Sequence, residues 1–453
     1  MALSLPDKWA RPCAIAGGVL LALTALRGVS LSQGTLGAKL AVTVLLLLAA
    51  ALALALLRHE GCSPSALLVL LLPIALSLFL RAFLLDHASL DYQDFLAHWV
   101  EHFRQNGGFS ALKDPVGNYN VPYLYLLSLI SYLPIPDLYL IKLFSIFFDV
   151  LLAWGGLRLV KDIKKEGSAP LVCFVLLLFL PTVLLNGSHW GQCDSVYAAL
   201  CLHALACALE DKPKTSVALL ALAFAFKLQA IFILPLWCAL WFAGRVKFRH
   251  LLIFPGVFAA SMVPALLLGK PVGDILSIYL DQAGSADQHQ YINFNSPSVF
   301  ALIPYQTDAP EGAAKAAIIA AFVLVLGILV LLFRRRNSLT NAALLIGAAA
   351  LCLGIPFLLP YMHERYFFLG GVLALVWACA TPIRTPVAPA AAVAAELASL
   401  GGYHAYIFVR YAMVVTLFGV TWTQLAEGVL MLFAVAAALY ALWRQVREPV
   451  AGG

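Results

Sequence analysis

The chain has 453 residues, of which 62% are hydrophobic and only 11% are charged, with a formal net charge of +6. Soluble globular domains carry about 25% charged residues, so this chain has too little polar surface to cover a water-facing exterior. The composition therefore excludes a soluble enzyme, a secreted disulfide scaffold and a nucleic-acid-binding protein. The nine cysteines show no metal-type spacing, and we assign them no chemistry.

Apolar runs predict membrane-spanning helices. The runs 40–57, 66–85 and 316–333 contain one charged residue among them, Arg81. Each run is close to the length of about 20 residues that crosses a hydrocarbon core of about 30 Å. The stretch 13–26 follows Lys8 and Arg11, and we interpret it as a first transmembrane helix rather than a signal peptide because many further spans follow. Basic clusters such as 161–165 and 334–336 mark cytoplasmic loops by the positive-inside rule.

The predicted fold is an all-α polytopic membrane protein with about thirteen to fifteen helices in a single membrane-embedded domain. Its parts are N-terminal spans over 1–85, an exterior loop over 86–122, core spans over 123–380 and C-terminal spans over 381–453. The segment 121–133 is apolar but short. Either it enters the membrane without spanning it, or the basic loop 161–165 breaks the charge rule. The Ala-rich segment 387–400 is the weakest predicted span.

Polar residues gather in four segments that the topology places on the non-cytoplasmic face. These segments are 86–122, 186–194, 270–297 and 361–365. Ionisable groups near membrane depth are costly and usually mark a functional site. We therefore expect the four segments to contribute to one polar cavity.

The first segment carries the sequence DYQDF over 91–95, with Asp91 and Asp94 three residues apart. On a helix the two carboxylates share a face, where they can act as a general base, as metal ligands or as both. The alternative is that Asp91 only caps a helix. Asp86 is a further candidate carboxylate, and 97–109 has the pattern of an amphipathic interfacial helix.

The middle of the chain supplies polar residues in two places. The segment NGSHWGQCDS over 186–195 contains His189, Gln192 and Asp194, of which Asp194 has helix capping as its alternative role. Lys227 stands in the sequence FKLQ over 226–229, within an otherwise apolar region. Its ammonium is suited to a lipid-borne phosphate, and the alternative is that the side chain snorkels to the interface.

Near the end of the core, YMHERYFF over 361–368 places His363, Glu364 and Arg365 between two apolar stretches. Arginine suits bidentate recognition of phosphate, and the alternative is a local Glu364–Arg365 pair at a water-facing turn. The loop 281–297 adds polar side chains suited to a sugar pocket, namely Asp287, His289, Asn293 and Asn295.

Taken together, these motifs resemble the polyprenyl-phosphate-sugar-dependent membrane glycosyltransferases of the GT-C superfamily. The nearest likeness is to bacterial mannosyltransferase-like proteins related to the transferase that adds the second mannose of GPI anchors. The resemblance is carried, over most of the chain, by the motifs at 91–95, 189–195, 226–229, 295–297 and 362–367. It implies a bundle of about thirteen transmembrane helices with a long first exterior loop that carries amphipathic helices.

The resemblance also implies roles for individual residues. Asp91 or Asp94 would be the catalytic base or a metal ligand, although the adjacent acidic pair common in GT-C loops is replaced here by Asp-x-x-Asp. The donor-phosphate-binding residues would be Lys227, His363 and Arg365, and the other substrate-binding residues would be His189, Gln192, Asp194, Asn295, Glu364 and Tyr366.

The reaction implied is transfer of a hexose, with mannose favoured, from a polyprenyl-phosphate sugar donor to an exterior glycan, glycolipid or protein acceptor, with inversion. A divalent cation is left open as a cofactor. Membrane lipid is an expected partner and nucleic acid is not, and the expected location is a bacterial plasma membrane with the active face non-cytoplasmic. The alternative is a transporter or flippase of a lipid-linked or anionic solute, although transporters usually place their polar site near mid-membrane.

Overall fold

Most of the described residues fold into helices. The computed structural model describes all residues except 1–2, 4, 165, 285–291, 303–311, 383–384, 408–415, 418–419 and 448–453. Asp287 and His289 of the predicted sugar pocket therefore lie outside the described residues. The prediction of an all-α polytopic protein is confirmed.

The α-helices in chain order are α1 Ala10–Val29, α2 Leu36–His59, α3 Pro64–Leu84, α4 Ala97–Gln105, α5 Val121–Ile130, α6 Asp137–Ile163, α7 Ala169–Phe179, α8 Pro181–Leu184, α9 Asp194–Leu209, α10 Pro213–Phe226, α11 Leu236–Phe242, α12 Phe248–Leu251, α13 Ile253–Leu267, α14 Val272–Gly284, α15 Ala313–Arg334, α16 Asn341–Leu358, α17 Phe368–Ala380, α18 Val387–Ile407 and α19 Trp422–Arg447. The described strands are β1 Asn293–Phe294, β2 Met362–His363, β3 Thr416–Leu417 and β4 Val420–Thr421, with β1 parallel to β2 and β3 antiparallel to β4.

Two compact units make up the chain. Unit one comprises residues 1–202, 225–227 and 256–279, and unit two comprises 203–224, 228–255 and 280–453. The boundaries between the two units fall inside α9, α10, α13 and α14.

Within unit one, α1 packs against α3 and α2, while α6 packs against α2 and α7. Small residues allow the close approach of α1 to its neighbours. A Cβ added at Gly17 would lie 2.8 Å from Cγ of Leu71 on α3, and one added at Gly28 would lie 3.1 Å from Cβ of Thr43 on α2. Helices in a membrane associate through this kind of close packing, because lipid provides no hydrophobic force between them.

Unit two is built around α16, α17, α18 and α19, which pack on one another in succession, with α15 against α16. The buried cluster at its centre includes Leu353, Phe367 and Met431. Gly370 on α17 permits a tight crossing, since a Cβ there would lie 2.7 Å from the carbonyl oxygen of Cys352 on α16.

Eight of the described helices are long and apolar enough to cross a bilayer, and nine if the bent pair Ala169–Phe179 and Pro181–Trp190 counts as one span. The protein is therefore a multi-pass membrane protein. The number of about thirteen spans stays a prediction, as does the single domain.

The polar loop 86–122 and the segment after it are built from short helices. The predicted amphipathic stretch forms α4, followed by a 3-10 helix at Gly108–Lys113. Helix α5 has ten residues, about 15 Å at 1.5 Å per residue, which is half of a hydrocarbon core. The short apolar piece therefore does not cross as a helix by itself, whereas the 27-residue α6 is long enough to do so.

Candidate functional site

Asp91 lies near the start of the polar loop 86–122 and is held by the motif 186–195, about 100 residues later in the chain. Its Oδ2 accepts hydrogen bonds from Nε1 of Trp190 at 3.0 Å and from Nε2 of Gln192. A π-helical turn, Tyr92–Leu96, begins directly after it, but the Asp91 side chain makes no capping hydrogen bond to that turn. The interpretation of Asp91 as only a helix cap is therefore wrong.

The other two carboxylates of this region have different surroundings. Asp94 is exposed on the π-helical turn. Asp86 accepts hydrogen bonds from Oη of Tyr139 at 2.6 Å, from N and Oγ of Ser32 at 3.0 and 2.7 Å, and from Nη2 of Arg27 at 2.5 Å. Burial alone would raise the pKa of Asp86, but these donors outweigh burial and hold the pKa well below its usual range. Asp86 thus anchors the start of the loop to α1 and α6, and its lowered pKa makes it a weaker base than an ordinary aspartate.

The second predicted motif folds into a π-helical turn at Leu185–Trp190 that ends at Gly191, whose φ of +82° is in the left-handed region. This reversal suits glycine. The next residue, Gln192, accepts a hydrogen bond from Oη of Tyr119 at 2.8 Å through its side-chain oxygen. Its carbonyl oxygen accepts another from Oγ of Ser145 on α6 at 2.7 Å. Gln192 therefore presents its amide NH₂ group to Asp91 from a fixed position.

Asp194 and Lys227 form a buried ion pair in unit one. Nζ of Lys227 lies 2.5 Å from Oδ1 of Asp194, and their side chains are 9% and 0% exposed. Asn186 donates to Oδ2 of Asp194 at 2.8 Å. Lys227 stands where α10 gives way to a 3-10 helix at Leu228–Phe232, and its Nζ lies 5.9 Å from the ring centroid of Tyr119. The snorkelling interpretation of Lys227 is wrong, because its charge is paired inside the protein.

His189 is buried and its ring stacks on that of His87, with the centroids 3.8 Å apart. His87 is exposed and precedes Asp91 in the loop. The part of the His87 ring that is shielded from water, and then the charge of Lys142, lower the pKa of His87 below its ordinary value. A neutral imidazole at this place is able to accept as well as donate a hydrogen bond.

Sequence reasoning missed the buried charges that support this site. Nζ of Lys142 on α6 donates to the carbonyl oxygens of Leu84, Leu85 and His87 at 2.7, 3.2 and 2.6 Å. These bonds satisfy carbonyl groups at and just after the C-terminal end of α3, which the helix itself leaves without donors. A further hydrogen bond joins the loop to the second motif: Oγ of Ser89 donates to the carbonyl oxygen of Trp190 at 2.6 Å.

A buried ion pair lies beneath the second motif. Arg81 on α3 donates to Oδ2 of Asp149 on α6 at 3.1–3.2 Å, and the two side chains are 1% and 0% exposed. Oγ of Ser195 donates to the other carboxylate oxygen at 2.5 Å. The sequence does contain a signal for these buried residues, namely charged side chains within an otherwise apolar run. Lys142 and Asp149 are isolated charges seven residues apart in an apolar run, and thus on one helical face.

In unit two, a short parallel pairing brings the last two polar segments together. Asn293 pairs with Met362, and Phe294 with His363. The rings of Phe294 and His363 stack with centroids 4.9 Å apart, and Tyr366 meets His363 edge-on at 5.3 Å. Both strands are only two residues long, so neither produced a recognisable strand pattern in the sequence.

Glu364 and Arg365 form the local ion pair considered from the sequence, with Oε1 and Nη1 3.2 Å apart. Glu364 is fully buried and the Arg365 side chain is 18% exposed, so this pair does not face water as that interpretation supposed. Asn295 bridges to the backbone of His363 and has a φ of +52°, an uncommon conformation for a residue other than glycine.

The structure thus gathers the predicted site residues into two groups. Unit one holds Asp91, His189, Gln192, Asp194 and Lys227, and unit two holds Asn295, His363, Glu364, Arg365 and Tyr366. Asp94 is exposed, and no described hydrogen bond joins it to the first group. Among the residues that the structure describes, no group of three or more His, Cys, Asp or Glu side chains is arranged to hold a metal ion.

The fold and these groups define a multi-pass membrane protein with buried, charged, hydrogen-bonded sites. The sequence model of glycosyltransferase family 87 matches residues 118–356, which is more than half of the chain. The protein therefore belongs to glycosyltransferase family 87. The matched region includes the second motif, Lys227 and Asn295, and it excludes Asp91 and the segment 361–368. No curated protein matches the chain. Family membership favours the enzyme over the transporter interpretation.

Proposed function

We propose that this glycosyltransferase moves a hexose, with mannose favoured, from a polyprenyl phosphate to a glycan, glycolipid or protein acceptor. The reaction takes place on the non-cytoplasmic face of a bacterial plasma membrane. It proceeds by one direct displacement and so inverts the anomeric carbon. The acceptor oxygen attacks that carbon, its proton passes to a carboxylate, and the bond from the sugar to the phosphate breaks with the electron pair leaving on the lipid phosphate.

Asp91 is the proposed base. Trp190 and Gln192 both donate to its Oδ2, and hydrogen bonds to a carboxylate favour its charged form and fix its direction. A base must be ionised and within hydrogen-bond reach of the proton that it removes. Asp94, which is exposed, and Asp86, whose oxygens already accept four hydrogen bonds, are less suited to this role.

Lys227 is the proposed partner of the departing phosphate in unit one. An ammonium has three N–H donors. Among the described residues, Asp194 accepts a hydrogen bond from one of the three donors of Lys227. Lys227 can therefore donate to a phosphate oxygen while Asp194 and Asn186 hold it in place. In unit two, His363 and Arg365 are the further proposed phosphate ligands. Positive charge directed at the developing negative charge lowers the barrier.

One observation carries the proposal most directly. Asp91 bonds to Gln192, Gln192 bonds to Tyr119, and the ring of Tyr119 lies against Lys227. A carboxylate and an ammonium are thereby fixed on the same framework within one unit. This combination suits a displacement in which the acceptor hydroxyl loses its proton and the lipid phosphate departs with the bonding electron pair.

The test is sugar transfer by the purified protein in detergent, with a panel of radiolabelled polyprenyl-phosphate hexoses and crude membrane lipids as acceptor. Asp91→Asn is expected to lower turnover by about 10²–10⁴-fold, the usual contribution of a positioned base. Asp94→Asn is expected to keep most of the activity because that side chain is exposed. Both variants should retain the wild-type melting temperature.

Unchanged turnover in Asp91→Asn would remove this residue from the mechanism. A donor-specific effect of Arg365→Ala would support its role at the phosphate, whereas equal loss for donor and acceptor would make it structural. NMR of the product anomer decides between inversion and retention.

A further inference from the structure

Among the residues that the structure describes, unit two contains a group of buried side chains whose polar atoms make no hydrogen bond. These atoms are both amide atoms of Asn295, Oγ of Ser296, Oγ of Ser399 and both carboxylate oxygens of Glu427. The four residues are between 1% and 4% exposed. Buried polar atoms are nearly always paired, because leaving one unpaired forfeits its hydration without replacement. Six such atoms on four neighbouring residues call for a bound polar group.

The four residues meet around two consecutive glycines of α18. A Cβ at Gly402 would lie 2.7 Å from the carbonyl oxygen of Asn295, and a Cβ at Gly401 would overlap the carboxylate of Glu427 on α19. Ser399 is one helical turn before Gly402 and so shares its face. Glu364 is also at this place, since its Cβ would lie 2.8 Å from the added atom at Gly402.

The backbone holds Asn295 here at a cost. Its positive φ is accompanied by a tight turn in which the side chain of Asn293 accepts from N of Ser296 at 3.0 Å and donates to the carbonyl oxygen of Ser296 at 3.2 Å. Strained backbone conformations concentrate at sites of function. The turn fixes Asn295 and Ser296 side by side while leaving their side-chain polar atoms for another partner.

The mixture of atoms identifies the chemistry of that partner. A bare cation would leave the amide donor of Asn295 unmatched, and an anion without protons would leave the amide oxygen of Asn295 unmatched. Hydroxyl groups both donate and accept, so several adjacent hydroxyls match amide, hydroxyl and carboxylate atoms together.

We propose that Asn295, Ser296, Ser399 and Glu427 bind the hydroxyl groups of a hexose, with Glu427 on α19 as a substrate-binding residue. This inference rests on the proposed hexosyl transfer and extends its site beyond the residues found from the sequence, which included Asn295 alone of the four. The hexose belongs either to the donor or to the acceptor, and both sources present the same chemistry.

The experiment compares Glu427→Gln and Ser399→Ala with the wild type, with Ser338→Ala in an exposed turn of the same unit as the matched control. Transfer is measured with donor and acceptor varied separately. Binding of methyl α-mannopyranoside is measured by saturation-transfer NMR in a detergent without a sugar headgroup. Thermal unfolding of each variant shows that it is folded.

Loss of one hydrogen bond to the sugar should raise one KM about tenfold and weaken binding of the probe in step. A rise in the donor KM assigns the site to the donor hexose, and a rise in the acceptor KM assigns it to the acceptor. If Glu427→Gln does not fold, Ser399→Ala provides the same comparison. The control should match the wild type.

Unchanged KM values and unchanged probe binding in both variants would overturn the inference and leave the proposed function standing. Binding of the probe that depends on Glu427, in a wild-type protein that transfers no hexose from any lipid phosphate, would instead retain the hexose site and refute the proposed function.

Discussion

The buried Arg81–Asp149 ion pair gives a prediction that needs no knowledge of the substrate. Both side chains are almost completely buried, between two helices that are apolar enough to span a membrane. Arg81→Met would leave the Asp149 carboxylate without its cation, because the remaining donor among the described residues is the neutral hydroxyl of Ser195. Removing one partner of a buried pair usually costs about 3–5 kcal/mol. We expect a loss of that size in the free energy of unfolding.

A double variant separates the charge from the packing. Arg81→Met combined with Asp149→Asn removes both charges, keeps similar volumes and leaves an oxygen to accept from Ser195. Replacing a buried pair by neutral groups is often close to neutral in stability, so the double variant should lose less than half of what the single variant loses.

The assay is unfolding in mixed micelles by titration with sodium dodecyl sulfate, followed by tryptophan fluorescence. Arg81→Lys is a useful comparison, since it retains the charge but not the guanidinium donors that reach Asp149, Ser77 and Leu178. Equal losses for the single and double variants would refute the reasoning, because the cost would then come from lost packing and not from an uncompensated charge.

Two further predictions concern the loop anchor and the glycine pair. The pKa of Asp86 is lowered in the folded protein, so its contribution to stability is complete above its unfolded pKa of about 3.9 and is lost as the pH falls toward the folded value. The melting temperatures of wild type and Asp86→Asn should therefore differ by a constant amount from pH 7 to pH 5 and converge below pH 4, and a difference that vanishes near neutral pH would contradict this. Gly402→Ala should lower the melting temperature, because the new Cβ would lie 2.7 Å from the carbonyl oxygen of Asn295. Gly18→Ala, where a Cβ meets nothing within 4 Å, should leave the melting temperature unchanged or raise it slightly. Equal effects of the two substitutions would show that the helix has room for a Cβ at Gly402.

Hydropathy and charge along the chain determined the class of this protein. Apolar runs long enough to cross a bilayer predict helices, because the backbone N–H and C=O groups of a segment in lipid must form hydrogen bonds within that segment. The same local reasoning located the polar segments, including the motif around His189 and the one around Arg365. Short stretches with little periodicity were harder. The two-residue strands and the π-helical turns depend on contacts that a local pattern does not contain.

Only the tertiary structure distinguished among the acidic residues of the first loop. Asp91 and Asp94 are equivalent in spacing and type, yet Asp91 bonds to Trp190 and Gln192, about 100 residues later, while Asp94 is exposed. The pairing of Lys227 with Asp194 is likewise visible only in the tertiary structure. Hydropathy depends on each residue and its neighbours, so it can be taken from the sequence. The ionisation and direction of a buried charge depend on partners brought from distant segments, and the packing of the helices decides which partners those are.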